Sequence, residues 1–320
     1  MNDLLAYFEQ ELPAVNAFLE AETGKLDGLV RDVARYVLLG GGKRIRPVLT
    51  ILTARALGFR QDGVTPLACS LEMLHSATLI HDDILDGADL RRGRAAAHLT
   101  FGQTETILAG DVLLALANRL GADYGIPRIN SLLAEGIMST ASGEILEIAH
   151  CAKPRPDRAA YMAIIVGKTA RLIETACRCG AALASPERSL EDAAGDYGLN
   201  VGIAFQLVDD ALDYLADQSD LGKPAGGDLR EGKITWPLIL FLEEEPDGAE
   251  VLARLAARDL DEAFQREVVG RVCAKGYADR TRAEAAAYVG RAKRALEALP
   301  GCREREILSQ AADFVLARRK

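Results

Sequence analysis

The stretch TLIHDDILDGADLRRGR, residues 78–94, decides how the rest of the chain is read. Asp82, Asp83 and Asp86 stand in the pattern D-D-x-x-D, inside an apolar run that includes Leu79, Ile80, Ile84 and Leu85. On a helix, Asp82 and Asp86 lie one turn apart on the same face. Like charges at that spacing repel, and the turn loses stability unless a cation lies between them. Carboxylate oxygens suit Mg²⁺, a hard ion held by one or two carboxylates together with substrate phosphates. Arg91 and Arg92 follow after a short break. Guanidinium groups are forked donors for phosphate oxygens.

The pattern recurs far downstream in FQLVDDALDYLAD, where Asp209, Asp210 and Asp213 sit among Phe205, Leu207, Val208 and Leu212. A single D-D-x-x-D on an exposed helix is usually a solvated face. Two copies, each flanked by residues that belong in a core, are different. Unpaired carboxylates near a core are costly. Two acid-rich helix faces across a shared cavity, bridged by metal and diphosphate, would remove that cost.

The chain has 320 residues, 49% of them apolar and few aromatic, which is ample for a large core. Leu, Ala, Glu and Arg dominate and alternating β-branched runs are scarce, so an all-α fold is expected. A net charge of −9 argues against a general nucleic-acid binder. The N-terminal MNDLLAYFEQELP has no basic region followed by an apolar core, and no run of 18 or more apolar residues occurs. A soluble, cytoplasmic protein is expected. The six cysteines are scattered, and Cys177-x-Cys179 has neither zinc nor redox spacing, so they read as reduced structural thiols.

Helical spacing of Leu4, Leu5, Phe8, Leu12, Val15 and Leu19 predicts a helix over residues 3–20, and a second covers 27–39. Gly40-Gly41-Gly42 stops it, and Lys43, Arg44, Arg46 and Pro47 follow. This junction puts adaptable backbone, cations and a helix N-terminus in one place, which suits an anion. Thr65-Pro66 reads as the N-cap and first residue of a helix running to Asp86. Further helices are predicted at 103–120, 127–149, 157–184 and 189–216. Gly167 interrupts the third of these, and a kink there would turn Lys168 and Thr169 inward. The P-loop spacing is absent from this segment. Residues 217–233, DQSDLGKPAGGDLREGK, form a loop carrying Lys223 and Lys233 close to the second acid motif, positioned to close over a charged ligand. Helices then continue to the C-terminus, with breaks near Pro246, Gly276 and Pro300.

Taken together, GGGKRIRP, LIHDDILDGADLRRG, GKTA, FQLVDDALDY and GKPAGGDLREGKITWP resemble, in order over about residues 28–240, the trans-type isoprenyl (polyprenyl) diphosphate synthases, and octaprenyl-type members above all. The resemblance implies an all-α, antiparallel helical bundle of the isoprenoid synthase type around a deep central cavity, one domain over residues 1–320, as a homodimer. It implies two acid motifs facing each other across the mouth and holding Mg²⁺, typically three ions, with Mn²⁺ an alternative. By position, Asp82, Asp86 and Asp209 match the metal ligands, with Asp83, Asp210 and Asp213 completing the acid set. Arg91, Lys168, Thr169, Gln206, Lys223 and Lys233 match residues that bind the allylic diphosphate. Lys43, Arg46, His75 and Arg92 match those that bind isopentenyl diphosphate. His75 is singled out only by standing seven residues before Asp82, and Gln206 by standing three before Asp209.

The implied chemistry needs no side-chain nucleophile. Metal and cations stabilise the leaving diphosphate and the allylic C–O bond ionises. The double bond of isopentenyl diphosphate attacks the carbocation, and a proton is lost to the released diphosphate. The protein supplies positioning and a dry apolar tunnel. Members making short products carry a bulky aromatic four or five residues before the first motif. Thr78 and Ala77 stand there instead. A floor one or two turns lower, at about 5.4 Å per turn, admits more isoprene units. This favours a long-chain product for quinone side chains, with transient membrane contact at release. Met73, Leu74 and Leu113 are other candidates for the floor. The alternatives are a short-chain (C15–C20) synthase, a terpene cyclase or hydrolase, a non-catalytic subunit of a heteromeric synthase, and a helical cation-binding scaffold. The Lys43/Arg46/His75 set opposes the cyclase, and retention of both acid motifs opposes the non-catalytic subunit.

Overall fold

The computed structural model describes residues 2–61, 63–215 and 225–318. Among them the only strands are a two-residue pair, and helices carry nearly everything else. The chain divides into two compact units. The first comprises residues 1–138, 172–198 and 295–310, and the second 139–171, 199–294 and 311–320.

The first unit begins with α1 (Asn2–Gly24), α2 (Gly28–Leu38) and α3 (Ile45–Ala56). The buried stripe of α1 is Leu4, Tyr7, Glu11, Val15 and Leu19. The predicted stripe is therefore rotated: Leu5 is 51% exposed. Glu11 replaces it because Arg55 and the Tyr7 hydroxyl meet there, and a paired carboxylate tolerates burial. α4 (Val64–Leu85) packs on α3 and on α6 (Gln103–Ala122). Gly63, not Thr65, is its N-cap, so the helix starts earlier than the Thr-Pro signal implied. Pro66 still falls in the first turn, where its missing N–H costs nothing.

Between α4 and α6 lies a hairpin that the sequence pattern did not announce. Leu90–Arg91 (β1) pairs antiparallel with Arg94–Ala95 (β2), and the short helix α5 (Ala97–Phe101) follows. Arg92 and Gly93 at its tip have φ of 55° and 74°, the doubly positive turn that matches strand twist. α7 (Pro127–Ala152) contributes residues to both units, as does α10 (Arg188–Leu215).

The predicted 157–184 helix is three pieces, the first two in the second unit and the third, from residue 172, in the first. α8 (Arg158–Ile165) is capped by the Asp157 carboxylate, which accepts the Ala160 N–H at 2.9 Å. A π-turn covers Val166–Ala170, and α9 (Arg171–Ala184) continues from it. Gly167 was expected to kink the helix, and the π-turn is the form the irregularity takes. A Cβ on Gly167 would stand 2.9 Å from the Gly143 Cα, and one on Gly143 would stand 2.4 Å from the Lys168 nitrogen. The two backbones therefore touch in a way that only glycine at both positions permits. α11 (Gly227–Glu231), α12 (Trp236–Glu244), α13 (Gly248–Ala256), α14 (Glu262–Ala274), α15 (Tyr277–Ala295) and α16 (Arg303–Ala317) complete the chain.

All six cysteines are free thiols, and Cys69, Cys177 and Cys179 are buried. Burial pushes the Cys177 thiol up to about 12, which leaves it unreactive. No helix among the described residues is long and apolar enough to cross a membrane.

Candidate active site

The first acid motif occupies the last turn of α4. Asp82 is partly exposed, and Asp86 is exposed at the helix C-cap, its N–H bonded to the Asp82 carbonyl at 2.8 Å. The two are one turn apart, as the spacing required. Asp83 points elsewhere: it is 6% exposed, and both Nε (2.8 Å) and Nη2 of Arg91 donate to its Oδ1. Arg91, expected to meet substrate, is thus also the counter-ion of the buried acid.

The GGGKRIRP junction lies in the same unit. Arg92 donates to the Gly41 carbonyl, and its guanidinium lies against Gly42, where a Cβ would come within 3.0 Å. Gly42 also has φ of +136°, so a side chain there is excluded twice over. Arg44 is buried and pairs with buried Glu72 at 2.6 Å, while Arg46 leaves its buried Nε without a partner. Burial pulls Arg46 down to about 10, and Glu72 works against that. Lys43 is exposed.

His75 stands in the field of Arg46, Arg92, Arg91 and Arg44. Burial, then these four cations, hold its pKa well below the ordinary 6.5, so the folded protein keeps the ring neutral. A small cleft of about 30 Å³, room for one water, is lined by Gly40, Asp83, Arg91, Arg92 and Arg94 among others. Arg94 is the cross-strand partner of Arg91 and stacks over Tyr36 at 4.1 Å. Sequence reasoning passed over it, although the spacing R-R-G-R with a hairpin glycine held the signal.

A pH dependence follows for His75. Unfolded, it takes a proton near 6.5; folded, it does so only at lower pH. Below that value the unfolded state binds more protons, so stability falls as the pH drops. In urea melts between about pH 7 and pH 5, His75→Asn should lose less stability than the parent chain. Equal losses in the two would assign the effect to other groups.

The second acid motif lies near the end of α10. Asp209 is 49% exposed, whereas Asp210 is 3% exposed. In both motifs the second aspartate is the buried one. Asp210 accepts from the Tyr161 hydroxyl at 2.5 Å and from Gln206 Nε2 at 2.7 Å, and Gln206 Oε1 accepts from the Thr169 hydroxyl at 2.9 Å. Thr169, Gln206, Asp210 and Tyr161 form one hydrogen-bonded chain. Burial pushes the Asp210 carboxyl up to about 7, against those donors and with help from Asp209. Asp213 accepts the Gly227 and Asp228 N–H groups at 3.0 and 3.1 Å and so fixes the start of α11. Its role among described neighbours is to hold that loop.

The π-turn aims Lys168 at α7, where its ammonium sits 2.7 Å from Glu144 and 2.5 Å from Glu147. Lys233 lies 2.7 Å from Glu231 and 3.8 Å from Glu147. Burial disfavours both charges, but the carboxylates more than offset it and both lysines titrate above the usual range. Glu144 and Glu147 were missed because no motif marks them; only their three-residue spacing beside Gly143 places them on one helix face. Asp228, whose pKa burial and the neighbours Asp210 and Asp213 raise, was missed likewise. Lys223 lies outside the described residues.

Among the described residues no three carboxylate, imidazole or thiol groups cluster as a complete metal site. Mg²⁺ needs none, since it keeps several waters and takes one or two carboxylates plus substrate phosphates. Asp82 and Asp86 in the first unit, and Asp209 in the second, are each at least partly exposed, and their carboxylates have the right hardness for that ion.

Comparison with known proteins decides the family. The polyprenyl synthetase family model matches residues 27–271. The chain belongs to the polyprenyl synthetase family. It is 34% identical over 319 residues to octaprenyl diphosphate synthase of Escherichia coli strain K12, covering 99% of this chain and 98% of that one. It is 37% identical over 266 residues to the octaprenyl diphosphate synthase of Haemophilus influenzae, covering 83% and 80%. A crystal structure of polyprenyl synthase from Caulobacter crescentus, complexed with calcium and isoprenyl diphosphate, superposes with a TM-score of 0.92 at 38% identity, covering 100% and 98%. Relatives named for nonaprenyl, heptaprenyl and short-chain products match as well. This polyprenyl synthetase is a prenyltransferase with the all-α isoprenoid synthase fold.

Proposed function

We propose that this polyprenyl synthetase condenses isopentenyl diphosphate with an allylic diphosphate such as farnesyl diphosphate, in the presence of Mg²⁺, and repeats the step to a long all-trans product near eight isoprene units. The use would be a quinone side chain, made in the cytoplasm by one catalytic domain spanning residues 1–320. The observation that carries the reading is the arginine cluster around His75. Arg44, Arg46, Arg91 and Arg92 converge there, with Glu72 and Asp83 as their carboxylate partners. An enzyme that only ionises and cyclises one allylic diphosphate has no use for a separate anion cradle.

In this reading Lys43, Arg46, His75 and Arg92 hold isopentenyl diphosphate. Arg91, Lys168, Thr169, Gln206 and Lys233, together with Lys223, hold the allylic diphosphate. Asp82, Asp86 and Asp209 are the ligands for Mg²⁺, three ions in all, with Mn²⁺ a substitute. When bound, the metal neutralises charge developing on the departing diphosphate. The side chains orient the two substrates: Glu144 and Glu147 hold Lys168, and the Thr169–Gln206–Asp210–Tyr161 chain braces the helix that carries Asp209.

The octaprenyl names of two relatives and the small residues at 77 and 78 support the long product. Ala77 is fully buried, and the Thr78 hydroxyl is bonded to the His75 carbonyl at 2.9 Å. Ala77→Phe should shorten the product, seen as an earlier end to the chain-length ladder after dephosphorylation. An unchanged ladder would remove Ala77 from the floor. The short-chain reading is kept because a relative so named is 34% identical.

A homodimer is proposed from apolar side chains left on the surface. Ile107 and Leu108 on α6, and Met138, Ile145 and Ile148 on α7, are 37 to 69% exposed. Such residues mark protein contacts when they gather on one element. Sedimentation velocity reads the oligomeric state directly. The test of the activity is one incubation of protein, labelled isopentenyl diphosphate, farnesyl diphosphate and Mg²⁺. Elongation of the primer supports a synthase. Release of diphosphate without elongation would favour a cyclase or hydrolase.

A further inference from the structure

Asp209 already has a cation. Arg318, the residue after α16, donates from Nη2 to Asp209 Oδ1 at 2.8 Å. The Arg318 side chain is 9% exposed, and its guanidinium lies over the Phe205 ring at 4.3 Å, one turn before Asp209. The backbone just before it is held as well: Arg282 donates to the Leu316 carbonyl at 2.8 Å and to the Arg318 carbonyl at 3.4 Å. Every residue in this arrangement belongs to the second unit.

Nε and Nη1 of Arg318 are buried and have no hydrogen-bond partner. A buried guanidinium with unused donors is costly, and its neutralisation rests on one half-exposed carboxylate. The docked position is therefore a shallow minimum. A divalent ion on the same carboxylate and a guanidinium at 2.8 Å from it repel each other.

We propose that Arg318 is an internal counter-ion that competes with the divalent metal for Asp209, so that metal loading and undocking of the C-terminal end are one coupled equilibrium. This rests on the reading of Asp209 as a metal ligand. When docked, Arg318 neutralises Asp209 and pins the end of α16 to α10. Metal binding removes that counter-charge role and frees the terminal residues. The coupling is reciprocal: whatever loosens the tail tightens the metal.

The test is Mn²⁺ binding without substrates, read from the free-ion electron paramagnetic resonance signal. It uses the full chain and the variants Arg318→Gln, Asp209→Asn and the double substitution. Arg318→Gln should tighten Mn²⁺ by about threefold, the scale of a half-exposed ion pair. The same change on the Asp209→Asn background should do nothing. In the unsubstituted chain, Mn²⁺ should speed amide hydrogen exchange over residues 311–318, with the rest of the chain serving as the control for folding.

Unchanged or weaker Mn²⁺ binding in Arg318→Gln, with Asp209→Asn weakened, would overturn the competition and leave the ligand assignment standing. Binding that Asp209→Asn leaves untouched would overturn both. Tail exchange that slows on Mn²⁺ would mean that metal docks the tail instead of releasing it.

Discussion

Asp82→Ala should lower the condensation rate by about 10³-fold at saturating Mg²⁺, which at room temperature is about 4 kcal/mol of transition-state stabilisation. That is the scale of the charge stabilisation a bound divalent ion provides to a departing phosphoryl oxygen. Asp82 is partly exposed on the last turn of α4, and Asp86 shares its face. Losing one of two facing carboxylates also relieves their mutual repulsion. Asp83→Ala should behave differently. It strips the counter-ion from Arg91 and costs stability as well as rate. Single-turnover assays and thermal melts on the two variants separate these cases. An Asp82→Ala protein within tenfold of the parent rate would remove Asp82 from the metal set.

The second large effect is on folding. Glu72→Ala should destabilise the protein by about 3–5 kcal/mol, the cost of leaving one member of a buried ion pair alone. Both partners, Arg44 and Glu72, have side chains only 3% exposed, at 2.6 Å. Arg44 is further committed: its φ is +49° at the N-cap of α3, a conformation that costs a non-glycine residue about 1 kcal/mol, and its Nη2 donates to the Leu38 carbonyl. Glu72 also attracts Arg46 and Arg92. Its removal leaves the cluster around His75 with one carboxylate fewer. An anion should then restore part of the loss. Inorganic pyrophosphate at a hundred times its dissociation constant adds about 2.7 kcal/mol by mass action. Urea melts with and without pyrophosphate check both halves. A loss below about 1 kcal/mol would show that Arg44 finds water or another partner.

The helices were legible because apolar periodicity is written along α1, α4, α6, α7 and α10, and because both acid motifs sit inside such runs. Helix starts were less so: Gly63 caps α4 ahead of the Thr65-Pro66 signal, since the backbone had already turned helical. The stripe of α1 was misjudged because Glu11 reads as a surface residue until Arg55, far away in sequence, is seen beside it. The site divides the same way. The two D-D-x-x-D motifs stood out from their spacing, and the choice of Asp82, Asp86 and Asp209 within them came from the family resemblance. Glu144, Glu147, Tyr161, Arg94 and Arg318 did not stand out, because each is placed by a partner on another element and local sequence carries no trace of that partner. Of the stretch 217–233 read as a loop closing over a charged ligand, residues 217–224, Lys223 among them, lie outside the described residues, and Gly227–Glu231 is helical.

The π-turn at Val166–Ala170 sets a phase for everything that follows it. It holds one residue more than a regular turn, and an α-helix advances about 100° per residue. Deleting a single residue there would restore a regular α-helical turn. It would also swing the side chains on one side of the deletion by roughly a quarter turn or more relative to the other. Lys168 could not then meet Glu144 and Glu147 while Tyr161, Ile164 and Ile165 kept their buried places. The irregular turn works as a spacer between two registers, one that suits packing and one that suits charge. Sequence designs that idealise this helix should lose the lysine.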